Sequence, residues 1–330
     1  MKALLLFLIC SSAFAIPEES YDRVWNSDVL VWYQDLQPGE FKNAQGLKIR
    51  YRFKVQDNAL RTLVILPGRS EAMINYAEMM YDLRHPEVNV FIMDHQGQGE
   101  SDRLLSGDAG HVIKFKDYVL DVRQFMNEVV IPLSGDTERM LLAHSMGATI
   151  GVHYLHMVPT GFAKAVLSAP MLQMNTKPYS ETVATLYSTF LFLAGKGAQY
   201  APGRGPYNPE TDVFDTNTST HSLVRWAAMK RFWAEDPQLI LGGPTVRWVK
   251  ESLAASKRTL TLAPRIKTPV VIFQAGQDQV VVNGRQNSFC LKLAKCQITL
   301  FPTAHHNVLN EKDEIRNKVV ERIQSFLDLN

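Results

Sequence analysis

The chain has 330 residues, 46% of them hydrophobic and 21% charged, with a formal net charge of +2. That length and composition suit one large globular domain or two small ones around a sizeable core. A charge near zero, without a long basic run, gives nucleic acid no electrostatic footing.

Residues 1–15 stand apart from the rest. Lys2 is followed by an apolar run from Ala3 to Ile9, and then by Ala13-Phe14-Ala15. A charged start, a short apolar stretch and an Ala-x-Ala site form the pattern of a secretory signal peptide. The run is far shorter than the ~20 residues of a membrane-spanning helix. The expectation is an exported chain, periplasmic or secreted, cut after Ala15; an uncleaved N-terminal anchor is the alternative. Removal of Cys10 would leave only Cys290 and Cys296. In an exported protein such a pair is a disulfide candidate, against the alternative of two free thiols. No metal is expected, because two thiols fall short of the three or four protein ligands that zinc takes.

From residue 16 to 40 the sequence is polar and aromatic and reads as a lead-in lying on the surface. Residues 47–55 alternate apolar with basic, as a half-exposed strand does. The continuous apolar runs 62–66 and 89–93 read as buried strands. Between them, Met73, Tyr76, Ala77, Met80 and Leu83 fall at helical spacing. Residues 115–131 form a helix ended by Pro132. Two further strands are expected at 140–142 and 163–168. The alternation then breaks, from 171 to 263, into helical patterns with Gly- and Pro-rich joints. It resumes with a strand at 269–273, a helix at 283–295, a strand at 297–301 and an amphipathic helix at 311–327. Regular strand–helix alternation implies a mostly parallel sheet with helices on both faces, hence an α/β fold. The interruption reads as a helical insertion above the sheet.

Within this frame, Met140-Leu141-Leu142-Ala143-His144-Ser145-Met146-Gly147 gives a strand, a turn tipped by serine, and a helix. That is the shape of a nucleophile elbow, whose tight turn needs small residues two positions before and after the serine. Ala143 stands where the motif usually has glycine. Alone, a serine between small residues is only a turn, so partners decide the matter. Ligands of open parallel sheets bind beyond the carboxyl ends of the strands. Asp278 follows the strand at 269–273, and His305 and His306 follow the last strand. The order Ser…Asp…His is that of α/β-hydrolases. We take His306 as the base and His305 as its spacer, although the spacing from Pro302 does not choose between them. A serine hydroxyl needs a histidine to accept its proton, and the histidine needs a carboxylate to fix its tautomer. An oxyanion hole would come from the backbone N–H groups of Met146 and Arg69, the latter in the Pro67-Gly68-Arg69 loop. The Arg69 side chain would be solvated, salt-bridged or turned toward an anionic head group.

Several stretches together resemble the α/β-hydrolase family. They are Leu66-Pro67-Gly68-Arg69-Ser70-Glu71, Asp94-His95-Gln96-Gly97-Gln98-Gly99-Glu100-Ser101, the elbow, Gly276-Gln277-Asp278-Gln279-Val280-Val281 and Ala304-His305-His306. The resemblance is to the serine aminopeptidase-like and monoacylglycerol lipase branch, and within it to bacterial lysophospholipases. Gly242-Gly243-Pro244-Thr245 and Thr220-His221-Ser222 look like the cap of those enzymes. The resemblance implies nucleophile, acid and base at Ser145, Asp278 and His306, and oxyanion donors at Arg69 and Met146. The Asp94 loop would be structural. It also implies an α/β-hydrolase core in two parts, 16–170 and 264–330, around a helical cap at 171–263. The expected activity is hydrolysis of a single-chain lipid ester through an acyl-enzyme, without a cofactor. Lysophospholipid is the first substrate. Monoacylglycerol or a general carboxylic ester is the alternative, and a non-catalytic binding module is the rival of another class. Met171, Leu172, Met174, Tyr187, Phe190, Leu191, Phe192 and Leu193 could line an acyl tunnel or simply form the cap's own core, and the cap could touch a membrane surface transiently.

Overall fold

The computed structural model describes residues 15–329, so the expected signal peptide lies outside the described residues except for Ala15. The strands are β1 (Gln37–Lys42), β2 (Lys48–Lys54), β3 (Arg61–Leu66), β4 (Val88–Met93), β5 (Glu138–His144), β6 (Lys164–Ser168), β7 (Val270–Ala275) and β8 (Cys296–Phe301). They form one sheet in the order β1-β2-β4-β3-β5-β6-β7-β8. β2 pairs antiparallel with β1 and β4, and from β4 to β8 every pairing is parallel. This is the α/β-hydrolase fold. The helices are α1 (residues 18–34), α2 (Ala77–Asp82), α3 (residues 115–134), α4 (Ser145–Met157), α5 (Glu181–Leu191), α6 (Leu223–Glu235), α7 (Val246–Leu262), α8 (Asn283–Cys290) and α9 (Asp313–Leu327).

The central strands are apolar at every position because both faces are covered. In β3, Leu63 and Ile65 belong to one core with α1, α2 and α9. Val64 and Leu66 belong to the other, with α3 and α4. Successive side chains of a strand point to opposite faces, so each strand contributes to both cores.

Three expectations are corrected. Residues 16–40 are not a surface lead-in. Tyr21, Trp25, Val29 and Tyr33 recur every fourth residue along α1 and are all buried against α2 and α6; β1 then adds an antiparallel edge. The third helix does not stop at Pro132 but runs on to Ser134. A π-turn at Met126–Val130, with Ile131 N–H bonded to Met126 O, widens the backbone just ahead of the proline. That relieves the clash its ring makes with the preceding turn. The helix at 283 ends at Cys290 rather than 295. Cys290 and Cys296 are joined by a disulfide with Cα atoms 5.4 Å apart. A continuing helix would hold residues six apart at about 9 Å, so the chain turns back into β8 instead.

Between β6 and β7, the segment 171–263 carries α5, α6 and α7. Its proposed acyl-tunnel residues divide. Met171 and Leu172 are buried in the core beside α4. Tyr187, Phe190 and Leu193 lie on the outside, 51%, 64% and 78% exposed. With Val183 and Leu186 they make an exposed apolar face along α5 and the π-turn Phe192–Lys196 that follows it, since positions three and four apart share a side of a helix. Leu191 is buried, Met174 packs against the core, and Phe192 lies beneath the cations of Arg247 and Lys250.

Candidate active site

Parallel pairing carries the C-terminal ends of β3, β5, β7 and β8 to one edge of the sheet. Ser145 follows β5 directly and opens α4 with φ of 49°. A non-glycine residue in that left-handed region costs about 1–3 kcal/mol and persists only where its surroundings impose it. Here the imposition is close packing. A β-carbon on Gly147 would lie 2.3 Å from Leu66 O and 2.4 Å from Pro67 O. The turn at Ser145 therefore rests directly on the end of β3. Ala143 does not depend on a bare neighbour at Gly151, two turns along α4 from the elbow, because a methyl on each would meet at ordinary contact distance. A β-carbon on Gly151 would sit 3.8 Å from the Ala143 methyl and 3.0 Å from a Leu141 methyl.

Ser145 Oγ lies 2.8 Å from His306 Nε2, and His306 Nδ1 lies 2.8 Å from Asp278 Oδ2. The other Asp278 oxygen accepts from the N–H groups of Val280 (2.8 Å) and Val281 (2.9 Å). Burial alone would raise the Asp278 pKa, but His306 and these two N–H groups outweigh it and hold the carboxyl below its ordinary value. The carboxylate is thus ionised and aimed at the imidazole. His306, not His305, faces the serine. His305 turns away, its ring centroid 3.7 Å from that of His221 with the planes tilted by 34°, and its backbone N–H donating to Glu311.

Contact between the end of β3 and the start of α4 brings together the two N–H groups expected to form an oxyanion hole. Met146 is the second residue of α4, so its N–H has no intrahelical acceptor. Among the described residues the Arg69 N–H makes no hydrogen bond. The Arg69 side chain is only partly exposed and makes no salt bridge among the described residues. It donates to Gly242 O and to Ser70 Oγ, and lies 5.2 Å above the Trp248 ring. Burial lowers its pKa to about 10, which leaves it cationic. The guanidinium therefore fastens the loop after β3 to the 171–263 segment.

A family model described as serine aminopeptidase, S33, matches residues 57–313, well over half of the chain. The chain belongs to the serine aminopeptidase S33 family. Among its relatives, a probable lysophospholipase L2 of Haemophilus influenzae is 33% identical over 319 residues, covering 95% of this chain and 99% of the relative. Human monoglyceride lipase is 26% identical over 317 residues, covering 94% and 96%. A carboxyl esterase of Bacillus coagulans, solved with glycerol, superposes with a TM-score of 0.70 at 17% identity, covering 89% of this chain and 98% of its own. Membership of the S33 family makes the chain a hydrolase, and its fold is that of the α/β-hydrolases.

The S33 site includes groups that reading the sequence passed over. Glu71, His144, Tyr76 and Asn307 form a buried polar network directly behind Ser145 and His306. Glu71, His144 and Asn307 stand within two residues of a site residue, but Tyr76 is seven positions from Arg69, and nothing local in the sequence marks the four as one network. His221, set aside as part of the insertion, donates its backbone N–H to Glu311 and braces the loop carrying His305 and His306. The Asp94 loop is structural: Asp94 accepts from Met73 N–H and Glu100 N–H, each at 2.8 Å. A β-carbon on Gly99 would collide with that carboxylate at 2.1 Å.

Proposed function

We propose that this ester hydrolase cleaves the carboxylic ester of a single-chain lipid, with lysophospholipid as its first substrate. The support is the hydrogen-bonded chain from Ser145 through His306 to Asp278, together with end-to-end similarity to a probable lysophospholipase L2 at 33% identity. In this reading Ser145 Oγ attacks the ester carbon as its proton passes to His306 Nε2. The developing oxyanion is met by the N–H groups of Arg69 and Met146. The imidazolium gives its proton to the departing glyceryl oxygen, leaving an acyl group on Ser145. Water then attacks the acyl carbon and yields its proton to His306. Collapse releases the fatty acid and restores the serine hydroxyl.

The exposed face of α5 supports contact with a lipid surface, because an apolar stripe of this kind gains by leaving water. Lys177 and Lys196 flank it and would favour an anionic surface. A panel of purified enzyme against lysophospholipids, monoacylglycerols and short esters tests both parts. Long-chain lysophospholipid is expected to be cleaved fastest, and a preference for acetate esters would overturn the lipid reading. With vesicle-borne substrate, the double variant Leu186→Glu, Phe190→Glu is expected to lose about tenfold in rate while keeping its rate on a soluble ester, tenfold being about 1.4 kcal/mol of surface affinity. Equal rates on vesicles would remove the membrane contact.

We also propose export, supported by the Ala13-Phe14-Ala15 site and by a disulfide suited to an oxidising compartment. N-terminal sequencing of the protein from fractionated cells is expected to begin at Ile16 in the exported fraction. A cytoplasmic chain beginning at Met1 would refute it.

A further inference from the structure

One buried carboxylate touches three separate parts of the site. Glu71 Oε2 accepts from the Gly68 N–H and from the Tyr76 hydroxyl, each at 2.5 Å. The same oxygen lies 3.1 Å from His144 Nδ1, and Oε1 accepts from Asn307 Nδ2 at 2.9 Å. Gly68 precedes Arg69, whose N–H is the outer oxyanion donor. His144 precedes Ser145, and Asn307 follows His306. The far nitrogen of His144, Nε2, donates to His306 O at 3.4 Å. Both ring nitrogens of His144 face acceptors, so both must carry protons, which only the imidazolium does. Burial favours neutral forms of both residues. Their mutual attraction outweighs it, holding the Glu71 pKa below and the His144 pKa above the ordinary value. Gly68 makes room for the pair: a β-carbon there would lie 2.7 Å from Glu71 Oε2 and 2.7 Å from His144 Nδ1.

We propose that Glu71 is a positioning residue, one ionised carboxylate that holds the oxyanion loop, the serine elbow and the histidine loop in mutual register. The inference rests on the reading of Ser145 as nucleophile and His306 as base. Nothing in the network touches substrate; its effect is on where the reacting groups stand. Misplacement of such groups by about 1 Å can cost on the order of 100-fold in rate.

The test is Glu71→Gln, which keeps the volume and removes the charge. It is measured on a soluble butyrate ester and by the rate of inactivation with a fluorophosphonate. With an unchanged circular dichroism spectrum, kcat and the inactivation rate are expected to fall together by roughly 30- to 100-fold, while KM stays within about twofold. A role in stability alone would lower the melting temperature and leave kcat per folded molecule unchanged, and that result overturns the inference. Should Glu71→Gln fail to fold, Asn307→Ala cuts only the link to the histidine loop. It is expected to lower kcat about tenfold, and a kcat within twofold of wild type overturns the proposal. A wild-type chain that takes no label on Ser145 would instead overturn the reading beneath it, and this inference with it.

Discussion

Replacing Ser145 by alanine is expected to lower kcat by roughly 10⁴- to 10⁶-fold, the range seen when a nucleophilic serine of this kind is removed. The fold should survive. Alanine meets the same left-handed φ of 49° as serine, and its β-carbon already has a place. Among the described residues the hydroxyl's hydrogen-bond partner is His306 Nε2, which in the variant would face the substrate or water. Activity on a long-chain lysophospholipid and labelling by a fluorophosphonate should vanish together, with melting temperature little changed. A variant retaining a tenth of the wild-type rate would place the chemistry elsewhere.

Asp278→Asn should cost nearly as much, about 10⁴-fold in kcat, through the tautomer of His306. The structure fixes which way the amide must point. One carboxylate oxygen receives two backbone N–H groups, from Val280 and Val281, and an amide nitrogen there would oppose both donors. The asparagine oxygen must therefore occupy that position, which turns its NH2 toward His306 Nδ1. An NH2 donor requires Nδ1 to be an acceptor, so the ring proton moves to Nε2. That nitrogen then has no lone pair with which to take the serine proton. The loss should appear in kcat at every pH, with substrate affinity preserved. Equal activity in the asparagine variant would show that Asp278 does not orient the ring.

Much of this was legible in the residues. The buried strands announced themselves as uninterrupted apolar runs, and the polar residues that follow them became the candidates for chemistry. Reading failed where a signal was shared between two structures. Tyr21, Trp25, Val29 and Tyr33 keep perfect four-residue spacing, but the polar residues between them are those of an exposed segment as much as of a helix with one buried stripe. Pro132 marks a helix end by local rules, and only the π-turn before it shows why the helix continues. Glu71 and His144 were invisible for a different reason. A carboxylate's value there comes from partners 73 and 236 positions away in sequence, and no local pattern records them. The aromatic and aliphatic residues of the 171–263 segment showed the same limit: composition marks them as apolar, but not which side of α5 they occupy.

The two small positions of the elbow are not equivalent. A β-carbon at 147 would run into the carbonyl oxygens of Leu66 and Pro67, backbone atoms that have nowhere to go. Across the turn, the Ala143 methyl would stand 3.8 Å from a β-carbon at 151, an ordinary contact. The glycine after the serine is therefore held by main chain, while the position before it takes a methyl without displacing its neighbour on the helix. A search that demands glycine at both offsets would pass over this chain on account of the more tolerant of the two.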